Sequence, residues 1–430
     1  MPFWLILISL IALDIIWWRW ADQKLRPLAR ARTGRILLAA FMCLQIPGFL
    51  LILFSRATWT RPLIPPSALA AVFIWHVLIA PVTMTLLAAG SFLDRVFITS
   101  RRLFRRVPAD CLAVSVSSLA LPADNPAAAD DPPSDDDPPA DPPLDLRRPT
   151  RRQLLLAAAA AIPPLVTAGS LAVAMVSLDR FRIRRLTLNI PDLPPALDGL
   201  TIAHISDIHT GAFTPSAKLA AIVQQTNALN ADLVLMTGDL IDYTLADLPA
   251  GLEMLRRLKS RYGLFACEGN HDLFEDREEF EDRVRSAGIP LLLDNSKTIL
   301  INGHPVQILG LAYGAYRQRN HLIDHHMPLL LRHRRDDAFP ILLSHHPHAF
   351  DPAAEAGIPL TLSGHTHGGQ LMLTDSLGAG PLMFRYWSGL YTKGRSSLVV
   401  SNGVGNWFPL RINAPTEIAH LTLRRAMSGQ

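Results

Sequence analysis

The chain has 430 residues, more than one ordinary domain needs, with 49% hydrophobic and only 18% charged residues, where a soluble globular protein carries about 25% charged. That deficit, with a mean hydropathy of +0.22, excludes a disordered chain and points to membrane segments; the small net charge of +4 argues against a strongly basic binder, so no specific nucleic acid is expected. Cys43, Cys111 and Cys267 are too few for a disulfide scaffold and form no CxxC pair for zinc.

Four apolar runs open the chain or follow soon after, at 3–18, 36–54, 67–93 and 154–178. The last three approach the ~20 residues that span a bilayer. The first is shorter and holds Asp14. A signal peptide is its alternative reading, but basic residues follow the run (Arg19, Lys24, Arg26, Arg30, Arg32, Arg35), whereas a signal peptide carries its charge in front. Trp17, Trp18 and Trp20 fit an interfacial belt. Asp14 and His76 are ionisable groups in apolar runs; with no relay partner visible they read as packed or interfacial. Pro47-Gly48 and Pro81 are expected to kink their helices.

Arginine and lysine set the orientation. The connections 19–35 and 91–152 hold fifteen basic residues together, against six in 55–66 and just after 178. Residues 19–35 and 91–152 are therefore expected in the cytoplasm. The chain reads as a multi-pass protein of the cell (inner) membrane with its C-terminal domain on the non-cytoplasmic, periplasmic or extracellular, face. Between the third and fourth runs, 122–145 holds eight Asp and eight Pro, a composition that cannot bury enough apolar surface to order itself. The expected organisation is a transmembrane helical region over 1–106 with about three spans, an Asp/Pro-rich disordered linker over 107–150, a fourth transmembrane helix or anchor over 151–179, and a globular domain over 180–430. The fourth run opens Thr150-Arg151-Arg152-Gln153-Leu154-Leu155, similar to an export signal with twin arginines and equally to an ordinary basic anchor. Ala172-Val173-Ala174 offers a cleavage site, and an uncleaved anchor is the preferred reading.

Within 180–430 short apolar runs of strand type each end in metal-type residues. Leu200–Ile205 leads into Ser206-Asp207-Ile208-His209, and Leu233–Thr237 into Gly238-Asp239-Leu240-Ile241-Asp242. Gly263–Cys267 leads, after Glu268, into Gly269-Asn270-His271-Asp272. Phe339–Leu343 leads into Ser344-His345-His346-Pro347, and Leu360–Ser363 into Gly364-His365-Thr366-His367-Gly368-Gly369. Helix-spaced apolar residues (Leu219, Ile222, Val223; Leu252, Leu255) separate the first three. Strands alternating with helices predict a largely parallel sheet, whose ligands collect beyond the carboxyl ends of the strands, so the five ends would converge on one patch. Asp, Asn and imidazole without thiolate suit Mn, Zn, Fe or Co. Seven candidates (Asp207, His209, Asp239, Asn270, His345, His365, His367) exceed the needs of one ion and fit two if one carboxylate bridges. The formal charges of two divalent ions, two carboxylates and one hydroxide leave a single positive charge, suited to an anionic phosphate ester. A lone Asp-x-His or Gly-Asp is an ordinary turn after a strand; five such ends in order are not.

These motifs resemble the calcineurin-like metallophosphoesterase superfamily, with its D-x-H, G-D-x-x-D, G-N-H-D/E, H-x-P and G-H-x-H pattern, over roughly 200–425. Leu390-Tyr391, Ser401-Asn402-Gly403-Val404-Gly405 and Pro409-Leu410-Arg411 are similar to its membrane-anchored bacterial-type branch, and the multi-span front end resembles membrane metallophosphoesterases of eukaryotes. The resemblance implies a four-layer α/β (α+β) fold, two mixed β-sheets flanked by helices. It implies that Asp207, His209 and His367 hold one metal, Asn270, His345 and His365 a second, and Asp239 bridges them; His345 is preferred to His346 by its H-x-P spacing. It implies His271 as general acid or transition-state donor, oriented by Asp272. The implied activity is hydrolysis of a phosphoric ester or phosphoanhydride by in-line attack of water activated between two divalent metals.

Tethering beside the membrane makes a lipid-linked phosphate or pyrophosphate the expected substrate, and phosphodiester cleavage the expected reaction. A protein or monoester phosphatase is the alternative enzyme, and a non-hydrolytic membrane sensor or scaffold the alternative of another class. His321, His325, His326 and His333 read as a solvated loop or cap, His204 as a strand residue, Cys267 as inert core. Arg411 reads equally as a phosphate contact or a structural pair.

Overall fold

The computed structural model describes residues 3–28, 31–57, 64–104, 150–178, 181–313, 325–374 and 377–426. The linker expected over 107–150 (all but Thr150) and His321 lie outside them. The chain divides into two compact units, Met1–Leu50 with Phe73–Thr167, and Leu51–Val72 with Ala168–Gln430.

The apolar runs form helices: α1 Phe3–Leu25, α2 Ala31–Ala57, α3 Pro66–Phe73, α4 Ala80–Phe104 and α5 Arg151–Leu178. A wide π turn, Ile74–Ile79, joins α3 to α4 and ends just before Pro81, whose ring cannot donate to the ladder. Pro47 lies inside α2, and Pro163 and Pro164 inside α5. Thr167 Oγ1 donates to the Pro163 carbonyl at 2.9 Å, one way an apolar helix keeps its polar groups satisfied. Among the described residues three helical spans are long and apolar enough to cross a membrane: Ala31–Phe54, Pro66–Ser100 and Arg151–Leu178. The run with twin arginines starts α5 as a capping box, Thr150 N donating to Gln153 Oε1 at 2.8 Å and Gln153 N to Thr150 Oγ1 at 3.2 Å.

In the first unit Asp14 and His76 are each other's partner, against the expectation that none is visible. His76 Nε2 lies 2.8 Å from Asp14 Oδ2, Trp75 Nε1 donates to Asp14 Oδ1 at 2.8 Å, and Phe49 stacks on the imidazole at 4.3 Å. Their spacing of 62 residues hides the pair from any local pattern.

The second unit holds two mixed sheets. One runs in the order β1 (Phe181–Ile190), β13 (Thr416–Arg425), β2 (Thr201–Ile205), β3 (Leu233–Thr237), β4 (Leu264–Cys267). Here β2, β3 and β4 are parallel and β13 runs antiparallel to β2. The other runs β11 (Gly389–Lys393), β12 (Ser396–Val400), β8 (Leu360–Ser363), β7 (Phe339–Leu343), β6 (His304–Gly310), β5 (Asn295–Ile301), parallel from β12 to β6 with antiparallel edges; β9 (Met372–Thr374) and β10 (Leu377–Gly378) form a separate antiparallel pair.

Strand β3 explains the layering. Leu233 and Leu235 join Ile308, Ile341 and Leu362 in the core between the sheets. Val234 and Met236 turn the other way, onto Ile222 and Leu255 of α6 (Ser216–Ala228) and α7 (Leu248–Arg256). A strand buried on both faces reads as a continuous apolar run, which is why alternation is missing. Helical residues Met327, Leu330 and Ala353 cover the outer face of the second sheet. The layers are therefore helix, sheet, sheet, helix. The expectation of one largely parallel sheet is corrected: β2, β3 and β4 belong to one sheet, β7 and β8 to the other, and the carboxyl ends of the two parallel sets meet.

Candidate metal centre

Each site side chain stands in the turn just past a strand. Gly364 N donates to His345 O at 3.0 Å, and Asp207 N to Gly238 O at 3.0 Å, locking neighbouring turns within each sheet. The sheets are joined where His345 Nδ1 meets Thr237 O at 2.7 Å and His365 N donates to Asp207 Oδ1 at 3.0 Å. The approach is so close that a Cβ on Gly364 would lie 1.9 Å from Ser206 Oγ and 2.1 Å from Asp207 Oδ2; one on Gly269 would lie 2.2 Å from Asp239 Oδ1. Only glycine fits either position.

The turns also force their own residues. Asp207, His209, Asp239, His365 and His367 all adopt left-handed backbone, with φ of 52°, 46°, 56°, 70° and 49°. Such conformations are uncommon outside glycine and gather at functional sites held by the surrounding fold.

Two groups of expected ligands result. Asp207, His209 and His367 form one, Asp239, His345 and His365 the other, the atoms of each lying within 4.8 Å of one another; among the described residues a third group, His209, Asp242 and His271, meets the same distance. Within the first, His209 Nε2 is 3.1 Å from His367 Nε2, and His367 Nε2 is 3.2 Å from Asp207 Oδ1. Within the second, His345 Nε2 is 3.2 Å from both Asp239 Oδ2 and Asn270 Oδ1, and 3.1 Å from His365 Nδ1. Asp239 Oδ2 also lies 3.5 Å from His209 Nε2, so a single carboxylate oxygen stands between the groups. Buried nitrogens and carboxylate oxygens converging at these distances, with no thiolate, form a donor set that fits divalent cations. The structure thus brings together all seven predicted ligands. His346 Nδ1 lies 2.7 Å from His348 Nδ1, and its ring packs 4.6 Å from that of His365.

His271 lies at the rim. A carbonyl only accepts, so His271 Nδ1 donates to Asp242 O at 2.5 Å, with Asp242 Oδ1 at 3.6 Å. Burial lowers the affinity of this imidazole for protons, but the charges of Asp239 and Asp242 outweigh it and push His271 up to about 9. For His345, burial is likewise outweighed, chiefly by Asp239, and it rises to about 9. Burial and the charge of His345 hold His365 down to about 3.

Asp272 is placed differently from expectation. Its oxygens accept from the backbone N–H of Asp239, Gly269, Leu240 and Ile241 at 2.8–3.1 Å. It ties the turn after β3 to the turn after β4, and the carboxylate beside the His271 ring is Asp242. The last Asp of G-D-x-x-D is Asp242, so the motif carried this signal. Arg411 is 1% exposed and donates to Asn406 Oδ1, Asn402 O, Ala414 O and Gly405 O, and to His367 Nδ1 at 2.9 Å. It is a structural pair for a candidate ligand, and its distance in sequence from His367 concealed this. His326 pairs with Asp294. His204 is fully buried, with Nε2 2.9 Å from Thr237 Oγ1, and burial lowers it to about 3.

A family profile described as calcineurin-like phosphoesterase matches residues 200–369. The chain is 31% identical over 242 residues to the uncharacterized metallophosphoesterase YkuE of Bacillus subtilis, covering 54% of this chain and 82% of that protein. The chain belongs to the calcineurin-like phosphoesterase family. It is also 33% identical over 248 residues to a Danio rerio transmembrane protein with metallophosphoesterase domain, covering 55% of this chain and 56% of that one. The match thus spans little more than half the length of that relative. A solved dimetal phosphatase from Danio rerio is similar over 48% of this chain and 88% of that chain, at 12% identity and a TM-score of 0.30. Members of the calcineurin-like phosphoesterase family generally use divalent metals in a dinuclear centre, for which the two ligand groups provide candidate positions.

Proposed function

We propose that this chain is a membrane-bound phosphohydrolase that cleaves phosphodiesters with two divalent metals, acting on a lipid-linked phosphate or pyrophosphate. The observation that carries the reading is Asp239 Oδ2, 3.2 Å from His345 Nε2 and 3.5 Å from His209 Nε2, the position of a carboxylate shared by two sites. Asp207, His209 and His367 would hold one ion and Asn270, His345 and His365 the other. When bound, such a pair activates water and stabilises both attacking and leaving oxygens of an in-line displacement.

The protein's own groups do the remainder. Asp272 fixes the turns that carry Asp239 and Asn270 through its four backbone hydrogen bonds. Asp242 O accepts from His271 Nδ1, so the second proton of the charged imidazole sits on Nε2. Asp239 and Asp242 favour the charged ring, and His271 would give that proton to the departing oxygen.

Two features support a substrate in the bilayer. Lys218 Nζ donates to Leu178 O, the last residue of α5, at 2.7 Å, and Asn406, the partner of Arg411, reaches the same carbonyl at 3.5 Å. The end of the membrane helix is thus a short chain of hydrogen bonds from His367. Beside the second ligand group, Phe384 packs 5.7 Å from the His365 ring, on a segment whose Leu373, Leu382 and Met383 are 74%, 87% and 72% exposed. Apolar groups so exposed favour a lipid surface.

The test is hydrolysis of bis(p-nitrophenyl) phosphate by the full chain in lipid nanodiscs with added Mn²⁺, beside Asp239→Asn. A phosphodiester lipid in the same discs and p-nitrophenyl phosphate are run in parallel. Metal-dependent diester turnover lost in Asp239→Asn is expected, with the lipid preferred; faster monoester turnover would favour the phosphatase alternative. A folded, metal-loaded protein without turnover of any of the three would overturn the enzyme reading.

A further inference from the structure

We propose that the first unit carries a binding site for an anionic glycerophospholipid, in the cleft between α1 and α2 and separate from the metal centre. The cleft has a volume of about 650 Å³, within the range of ligand sites of roughly 300–1,000 Å³. Ile15, Trp18 and Ile36 line its apolar part, and Arg19, Arg32 and Arg35 its charged part. Ile15 and Ile36 are 46% and 59% exposed, apolar surface that acyl chain would cover.

Charge decides what sits above them. Arg35 Nε donates to Asp22 Oδ1 at 2.5 Å, a bond that ties α2 to α1 and cancels one charge. Three lining arginines less one lining aspartate leave a net charge of +2. Arg19 and Arg32 have no hydrogen-bond or ion-pair partner among the described residues. Two guanidiniums beside a cleft are complementary to phosphate, which they bind in bidentate fashion. Trp18 sets the depth, since its ring belongs at the level of the headgroups. A soluble anion would satisfy the arginines but leave the isoleucines in water; a zwitterionic lipid would cover the isoleucines but bring no net charge. An anionic lipid does both.

The site is tested by equilibrium binding of fluorescent dioleoyl phosphatidylglycerol to the purified full chain in uncharged detergent, against phosphatidylcholine and inorganic phosphate. Phosphatidylglycerol is expected to bind at least tenfold more tightly than phosphatidylcholine, and inorganic phosphate at equal phosphate concentration not to displace it. Each basic residue near an anionic lipid is worth a factor of about five, so the double change Arg19→Gln with Arg32→Gln should weaken binding roughly thirtyfold. Arg19→Lys with Arg32→Lys, which keeps the charge, should bind within about fivefold of the natural protein, and Lys297→Gln, on strand β5 of the second unit, should not alter it. Equal binding of both lipids, displacement by inorganic phosphate, or full binding by the double Gln variant would each overturn the site. Should the double Gln variant fail to fold, the phosphatidylglycerol-to-phosphatidylcholine ratio on the natural protein decides alone.

Discussion

Arg411 gives the sharpest test of how the fold builds the centre. A guanidinium has donors only, so His367 Nδ1 accepts from Arg411 and the neutral ring carries its proton on Nε2, 3.2 Å from Asp207 Oδ1; a cation at Nε2 would displace that proton, and Arg411 would steady the ring left behind. Arg411→Lys keeps the charge, but an ammonium has three donors and must abandon at least two of the five acceptors now served. At about 1–1.5 kcal/mol for each buried bond lost, the folded domain should lose about 2–3 kcal/mol. Removing an outer partner of a ligating imidazole typically costs 10–100-fold in metal affinity. Calorimetric titration of Mn²⁺ into the full chain, with Asp239→Asn as the blank, should show that loss, and thermal unfolding the destabilisation. Wild-type Mn²⁺ affinity in a destabilised Arg411→Lys would refute the positioning of His367 and leave Arg411 a structural residue alone.

Three further outcomes follow from the same geometry. If the His271 Nε2 proton is the one delivered, kcat/KM for a diester should fall as pH rises through the pKa of His271; Asp242→Asn removes a negative charge that raises it, so the alkaline limb should move to lower pH, and an unmoved limb assigns it to another group. Gly364→Ala would press a methyl group against Ser206 and Asp207, so bound Mn²⁺ measured by elemental analysis should be lost; a folded variant with full metal content would refute the close approach. Asp14→Ala removes the Asp14 bonds to Trp75 Nε1 and His76 Nε2, a loss of about 1–3 kcal/mol for two bonds inside a membrane unit. Unfolding in micelles followed by tryptophan fluorescence should show it, and Asp14→Asn, which keeps an acceptor for Trp75, should lose less.

The candidate ligands were legible because each follows its own strand by two to four residues, a pattern that short apolar runs and their endings display locally. The partition of those strands was not. Nothing in Leu233–Thr237 or Phe339–Leu343 says that one packs face to face with the other instead of beside it, since strands buried on both faces look alike in either arrangement. The outer partners were hidden for a related reason. Asp272 stands next to His271 in sequence, and adjacency suggested that it orients the ring; the 3₁₀ turn His271–Leu273 sends its carboxylate back to Asp239 N and Leu240 N instead. Asp14 with His76, and His367 with Arg411, are pairs made by packing across long stretches of chain.

The left-handed backbone at Asp207, His209, Asp239, His365 and His367 is the other thing no motif discloses. Asp and His tolerate that region better than branched residues do, yet each still gives up stability, on the order of 1 kcal/mol. Strands alone do not impose such turns. They persist because glycines 269 and 364 let neighbouring turns touch, because Asp272 accepts from the backbone N–H groups of the Asp239 turn, and because Arg411 holds the His367 ring. The cost falls on the residues whose atoms must converge, and the compensation comes from residues that touch no ion. A fold arranged this way holds the carboxylates and imidazoles together before a cation arrives. Metal binding to it should therefore need little rearrangement, and removal of the metal should lower stability without dissolving the two-sheet core.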